Sequence, residues 1–225
     1  MKKLGILGGM GPLATITLYN KIVLKTEAGN DQEHIHTIID SNTEIPDRTS
    51  FILGNGYDPL PQLKSSIDML NGAGADLIIM PCNTAHYFYN DLESYSKAPM
   101  LNMVKMTADI SDSNTCLLAT KGTFDAEIYQ RYNKDIIIPD DDIVKRLMTV
   151  IYEVKSNNRI KAYEIFKKII NELRDEGYEK FILGCTELSA LYDIYPDIEG
   201  EFIDPMDMMV DEILMLFGKE KATSL

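Results

Sequence analysis

Two cysteines of this chain stand in matching surroundings. In "LIIMPCNTAH", residues 77–86, an apolar run stops at Pro81 and hands over to Cys82, Asn83 and Thr84. In "KFILGCTEL", residues 180–188, an apolar run stops at Gly184 and hands over to Cys185, Thr186 and Glu187. A thiol between a strand end and a helix start faces unpaired backbone N–H groups and the positive end of the helix dipole. Both lower its pKa toward neutrality. A group that titrates near the working pH suits general acid–base catalysis. Two such thiols on opposite sides of one carbon could remove a proton from one face and deliver another to the opposite face. Such sulfurs would lie too far apart for a disulfide, whose α-carbons approach within roughly 7 Å. The third cysteine, Cys116, falls early in the apolar run "TCLLAT" and reads as a small buried hydrophobe.

The polar neighbours have two readings each. Asn83, Thr84 and Thr186 are good helix N-caps, and they are equally placed to hold a carboxylate at a helix start. Arg48 follows Asp47 in the Pro-containing loop "SNTEIPDRT". Its guanidinium could clamp a carboxylate with two parallel hydrogen bonds, or it could be a solvated surface arginine. Lys155, at the end of a helix in "YEVKSNNR", could satisfy the last helix carbonyls or reach a substrate. His34 and His36 have H-x-H spacing without a plausible third ligand, so no metal site is expected. His86 could stack above Cys82 on one helix face, but a Cys–His nucleophile would leave Cys185 unexplained. "GMGPLA", residues 9–14, fits G-x-G-x-x-A. Pro12 inside the phosphate turn and the long gap from Ala14 to Asp40 argue against a dinucleotide site, and no cofactor is expected.

The elements that must position these residues alternate. Short runs rich in Ile and Leu predict strands over 3–8, 35–40, 76–81, 115–120, 135–138 and 180–184. They are nearly unalternated, as strands buried on both faces should be. Helices are expected over 13–29, 59–73, 84–94, 103–111, 123–133, 141–156, 158–176, 187–192 and 205–217, with start signals at Pro59, Asp140 and Asp204-Pro205. The alternation implies an α/β fold with parallel sheets. The order also repeats. "LGILGGMGP" resembles "CLLATKGTF", and the two cysteine segments resemble each other at a similar offset of just over a hundred residues. Two similar α/β halves are therefore expected, over 1–105 and 106–205, with a last helix within 206–225 packing back on the first. Ligands of open α/β sheets sit beyond the carboxyl ends of the strands, so the cleft between the halves is the expected site.

Composition narrows the partners. The chain has 225 residues, enough for a full core, and a net charge of −13, which argues against nucleic acid and anionic membrane as partners. Three cysteines without C-x-x-C argue against a disulfide framework or a zinc ribbon. No apolar run approaches a membrane span. The glycines and Pro12 near the start break any signal-peptide pattern, and a cytoplasmic protein is expected.

Taken together, "GILGGMGP", "SNTEIPDRT", "MPCNTAH", "LLATKGT", "YEVKSNN" and "LGCTEL" resemble the cofactor-independent aspartate/glutamate racemase superfamily, and most closely its aspartate racemase branch. The resemblance runs from residue 4 to about 205, with the blocks in family order. It implies two Rossmann-like halves with the active site between them, a homodimer, and two cysteine bases working without pyridoxal phosphate or metal. Carried over residue by residue, Cys82 and Cys185 become the catalytic pair. Met10, Asn83, Thr84, Thr120, Thr123, Thr186 and Glu187 fall at motif positions that line the substrate site. Arg48 and Lys155 fall at basic positions near substrate carboxylates. Glutamate racemases of the cell-wall type usually carry His after the second Cys-Thr. Glu187 stands there instead and points to the aspartate branch. The implied substrate is a small acidic amino acid. Glutamate or broad-specificity racemisation is the alternative within the fold, and a non-catalytic small-molecule-binding protein is the alternative outside it.

Overall fold

A computed structural model describes residues 2–222. Strands β1 (Lys3–Gly8), β2 (His36–Ser41) and β3 (Leu77–Ile79) form one parallel sheet in the order β2-β1-β3. Strands β4 (Thr115–Ala119), β5 (Lys180–Gly184) and β6 (Glu201–Ile203) form a second, in the order β4-β5-β6. A single parallel bridge extends each sheet, Met100 beside Ile78 in the first and Ile137 beside Cys116 in the second. With these bridges the two sheets have the same layout. The segment 137 takes the place of β2, β4 that of β1, β5 that of β3, and β6 that of the segment at Met100.

Ten helices occupy the connections among the described residues: α1 (Pro12–Lys25), α2 (Arg48–Ile52), α3 (Leu60–Gly72), α4 (Tyr89–Tyr95), α5 (Met103–Ile110), α6 (Lys121–Asp125), α7 (Asp141–Lys155), α8 (Arg159–Asp175), α9 (Thr186–Ile194) and α10 (Pro205–Leu216). Short 3-10 turns cover Asp31–Glu33 and Thr84–Phe88. The polar starts cap as their chemistry suggests. Asp140 accepts from Ile143 N at 2.8 Å and Asp204 from Met206 N at 2.9 Å. On one face of the first sheet, Leu7 and Ile78 pack with Leu63, Ile67 and Leu70 of α3. On the other face, Leu4, Ile6 and Ile79 pack with Leu18 and Ile22 of α1 and with Met206, Val210 and Ile213 of α10. In the second sheet Leu118, Phe181 and Leu183 pack with Leu147, Val150, Phe166 and Ile169 of α7 and α8.

Four expectations need correction. Residues 135–138 make one bridge instead of a strand, because Pro139 follows at once and cannot donate to a ladder. β6 is an additional edge strand of three residues. The helix expected over 123–133 is α6 alone, since the chain turns at Glu127, whose φ is 50°. Arg48 opens a short helix, α2, capped by Asp47, which accepts from Ser50 N at 2.7 Å. The part of the expected 206–225 segment at 223–225 lies outside the described residues.

One ion cluster ties helices of the two sheets together. Lys21 of α1 reaches Asp193 of α9 at 2.7 Å, Asp204 at 3.2 Å and Asp207 of α10 at 3.1 Å. Burial penalises its charge, but Asp204, Asp193 and Asp207 outweigh that and raise the ammonium's pKa. Among the described residues no helix is long and apolar enough to cross a membrane.

Candidate active site

The carboxyl ends of β1, β3, β4 and β5 converge on one cavity. β3 delivers Cys82, Asn83 and Thr84, and β5 delivers Cys185, Thr186 and Glu187. Met10 comes from the turn after β1 and Thr120 from the turn after β4. The start of α2 adds Asp47, Arg48 and Thr49, and the last residue of α7 adds Lys155. The enclosed space is about 20 Å³, little more than room for one water. A chamber of about 510 Å³ adjoins it and shares Met10, Asp47, Arg48, Lys155 and Glu187.

Two glycines allow the close approaches this convergence needs. Gly9 has φ of +89°, and a Cβ there would meet the Asn42 backbone at 2.3 Å. A Cβ on Gly122 would meet Thr49 at 2.9 Å, where α6 of one half touches α2 of the other.

Of the catalytic and substrate-lining residues that the family resemblance implied, all but Thr123 line the cavity. Thr123 lies completely buried behind the wall, with its hydroxyl 3.0 Å from that of Thr84 and 3.1 Å from that of Thr120. Thr84 and Thr120 close the triangle at 3.0 Å. Thr120 caps α6, whereas the turns after Cys82 and Cys185 carry no side-chain cap. The capping reading of Asn83, Thr84 and Thr186 is thereby set aside, and the side chains of Asn83 and Thr84 bond instead to Tyr129 and to Thr120 and Thr123.

Arg48 is buried and busy. One Nη donates to the carbonyls of Ile45 at 3.4 Å and Pro46 at 3.0 Å, and the other to Met10 O at 3.1 Å. Its Nε–H has no partner. Of the five donors a guanidinium carries, these bonds leave two uncommitted. Lys155 turns away from the helix carbonyls, and its Nζ lies 3.9 Å from Glu187 Oε1. Burial opposes its charge, but Glu187 and Cys185 keep its pKa raised.

Both thiols are buried. Cys185 donates to Glu187 Oε2 at 2.9 Å. Its pKa rises well above the usual thiol range, first through burial and then through the Glu187 carboxylate, with Lys155 opposing in part. The helix start was expected to lower it; burial and Glu187 win. Cys116 is likewise pushed up, to about 12, by burial in the second core.

Three contributors, Asp47, Thr49 and Tyr129, were not singled out as site residues from the sequence, and a fourth, His86, was read there only as a neighbour stacked above Cys82. Asp47 and Thr49 line the cavity, and the adjacency of Asp47 to Arg48 was the available signal. His86 Nδ1 sits 2.9 Å from Cys82 O, so the ring donates to the turn that carries the thiol. Burial lowers the His86 pKa to about 4, which keeps the ring neutral. Tyr129 donates to Asn83 Oδ1 at 2.6 Å. Chemically the site offers two thiols, two cations, two carboxylates and several hydrogen-bond donors to a small polar ligand. Among the described residues, no group of three or more His, Cys, Asp or Glu is placed to hold a metal.

The comparisons with known proteins bear on this arrangement. The broad specificity amino-acid racemase of Bacillus subtilis is 29% identical over 203 residues, 84% of this chain and 87% of that one. The aspartate racemase of Picrophilus torridus is 31% identical and superposes with a TM-score of 0.86, covering 99% of this chain and 96% of that one. An aspartate racemase homologue from Pyrococcus horikoshii is 26% identical, with a TM-score of 0.72 over 97% of this chain and 100% of that one. The Asp/Glu/hydantoin racemase model matches residues 7–213, which include every residue lining the cavity. The chain belongs to the Asp/Glu/hydantoin racemase family and is an isomerase.

Proposed function

We propose that this racemase interconverts L- and D-aspartate, accepts glutamate less well, and uses Cys82 and Cys185 as its two bases without a cofactor. The observation that carries the proposal is the pair of thiols, delivered by equivalent turns of two similar sheets to one cavity. Inversion needs a proton removed on one face and another delivered on the opposite face. A thiol on each half does this without moving across the substrate.

The charges favour a dicarboxylate. Arg48 and Lys155 give two cations for two carboxylates, and Glu187 and Asp47 give acceptors for an ammonium group. A neutral amino acid would leave one cation without a partner. In the resting enzyme Cys185 is held as a thiol against Glu187, which supports it as the proton donor and leaves removal of the α-proton to Cys82. In the reverse direction the roles exchange: Cys185, left as the thiolate by its proton donation, removes the α-proton, and Cys82, which carries the proton it took, donates. Negative charge that develops on the substrate is stabilised by preorganised donors: the Thr84 and Thr186 hydroxyls and the backbone N–H groups beside them, while the Asn83 amide holds a carboxylate in bound substrate and transition state alike. The cavity is far smaller than aspartate, so binding opens the cleft toward the adjoining chamber.

The likeness to the Picrophilus enzyme supports aspartate. The Bacillus relative supports broader specificity as the second reading. A homodimer in the cytoplasm belongs to the same proposal, and light scattering and cell fractionation test it. The substrate is tested by incubation with each enantiomer of aspartate, glutamate and alanine in D2O, following loss of the α-proton signal. Fastest loss with aspartate is expected. Equal rates for all three would replace it with the broad-specificity reading, and binding with no exchange would leave a non-catalytic binding protein.

A further inference from the structure

We propose that Tyr129 is a positioning residue for substrate binding, its hydroxyl holding the Asn83 side chain so that the amide NH2 faces the cavity. The inference rests on the reading of Asn83 as a substrate contact. Tyr129 is completely buried, and its ring packs among Val104, Leu117 and Ile136. Its hydroxyl donates to Asn83 Oδ1 at 2.6 Å. Asn83 is 2% exposed, lines the cavity, and its Nδ2 has no hydrogen-bond partner. A buried amide NH2 without an acceptor is costly, and a substrate carboxylate would supply the missing acceptor.

The bond matters because an amide can flip. With Oδ1 engaged by a donor, the NH2 group is left for the ligand. Without that donor the amide can turn its oxygen toward an anion, which repels it. Burial keeps the Tyr129 phenol well above its ordinary pKa, reinforced by the negative charge of Asp204 and by Cys185, so the group stays a donor. The bond also crosses the cleft. Asn83 follows β3 of the first sheet, and Tyr129 follows α6, which is attached to the second. The donor is thus aimed correctly only when the two halves are in register.

Tyr129→Phe keeps the packed ring and removes only the hydroxyl. The expected result is a rise in KM for aspartate of about tenfold, larger than any fall in kcat, because the lost interaction is with bound substrate. Asn83→Ala should raise KM at least as much, and the double variant should be no worse than Asn83→Ala alone, since residues acting through one contact are not additive. Asn83→Asp retains an acceptor for Tyr129 but replaces the NH2 with a second oxygen, and should raise KM further. Additive effects of Tyr129→Phe and Asn83→Ala would overturn the positioning role. So would a KM rise in Asn83→Ala without one in Tyr129→Phe. Unchanged KM in both Asn83 variants would overturn the substrate contact, and the proposal with it. Should Tyr129→Phe fail to fold, Asn83→Asp decides: a KM no higher than that of Asn83→Ala overturns the proposal.

Discussion

The turn after β3 and the turn after β5 follow similar paths, yet they give their cysteines different company. Cys185 is followed by Thr186 and Glu187, and the carboxylate takes the thiol proton in a hydrogen bond while Lys155 balances it from α7. Cys82 is followed by Asn83 and Thr84, both uncharged, whose side chains bond to Tyr129 and to Thr120 and Thr123. Its carbonyl is held by a neutral histidine. Repetition of the fold sets where a thiol sits, and the residues that follow set its company: at Cys185 the Glu187 carboxylate adds to burial in raising the thiol's pKa. The proposed mechanism needs this inequality, since a resting enzyme with two thiols or two thiolates would have to gain or lose a proton before each turnover.

The largest effects are expected from removing either member of the pair. Cys82→Ala and Cys185→Ala should each lower kcat for aspartate by about a thousandfold, within the roughly 10²–10⁴-fold range of general acid–base contributions. Cys116→Ala should stay near wild type, because that thiol fills the core behind β4. Enantiomer interconversion followed by chiral chromatography measures all three.

Arg48→Ala should come next, with a loss of about ten- to hundredfold in kcat/KM for aspartate, as expected for charge-assisted bonds of roughly 1.5–3 kcal/mol. A fall in thermal stability should accompany it, since the guanidinium also holds the carbonyls of Met10, Ile45 and Pro46. Arg48→Lys should recover part of the activity and less of the stability, because one ammonium cannot replace a planar fork. Full activity in Arg48→Ala would return the residue to a purely structural role.

A smaller effect sharpens the contrast between the turns. Glu187→Gln removes the negative charge that disfavours the Cys185 thiolate, so the Cys185 pKa should fall. Alkylation by iodoacetamide, followed residue by residue with mass spectrometry, should move to lower pH at Cys185 and stay in place at Cys82. Equal movement at both would mean that the two turns share one electrostatic environment.

The last effect is on stability instead of activity and runs through His86. Its folded pKa of about 4 lies below the ordinary value of 6.5. The neutral ring therefore contributes stability that is fully present above pH 6.5 and is lost as pH falls toward 4. The shift corresponds to about 3 kcal/mol at most. Urea unfolding across pH 4–7 should show this slope in wild type and a flatter one in His86→Asn, and matching slopes would place the acid sensitivity elsewhere.

Much of the frame could be read in advance because strands buried on both faces are written as unbroken apolar runs. β1 and β5 were found where "KLGILG" and "KFILG" placed them. β6 was not, because an edge strand of three residues beginning with exposed Glu201 carries neither an apolar run nor an alternation. Most of the residues lining the cavity, Asp47 and Thr49 excepted, were legible through repetition and family resemblance. Their supports were not. Tyr129 lies 46 residues from Asn83 in a stretch that reads as an ordinary amphipathic helix, and only the folded path brings the two together. The raised pKa of Cys185 was equally hidden, because a helix start argues for a low value until burial and the Glu187 carboxylate are weighed against it.

The central proposal, that two different groups work on opposite faces of one carbon, is tested most directly by the isotope content of both enantiomers early in the reaction. L-aspartate is incubated with the enzyme in D2O and stopped after a small fraction has converted. The two-thiol account predicts that the D-aspartate formed carries deuterium at the α-carbon while the remaining L-aspartate keeps its proton. D-aspartate that retained the original α-proton would mean that a single group removes and returns it, and would contradict the account.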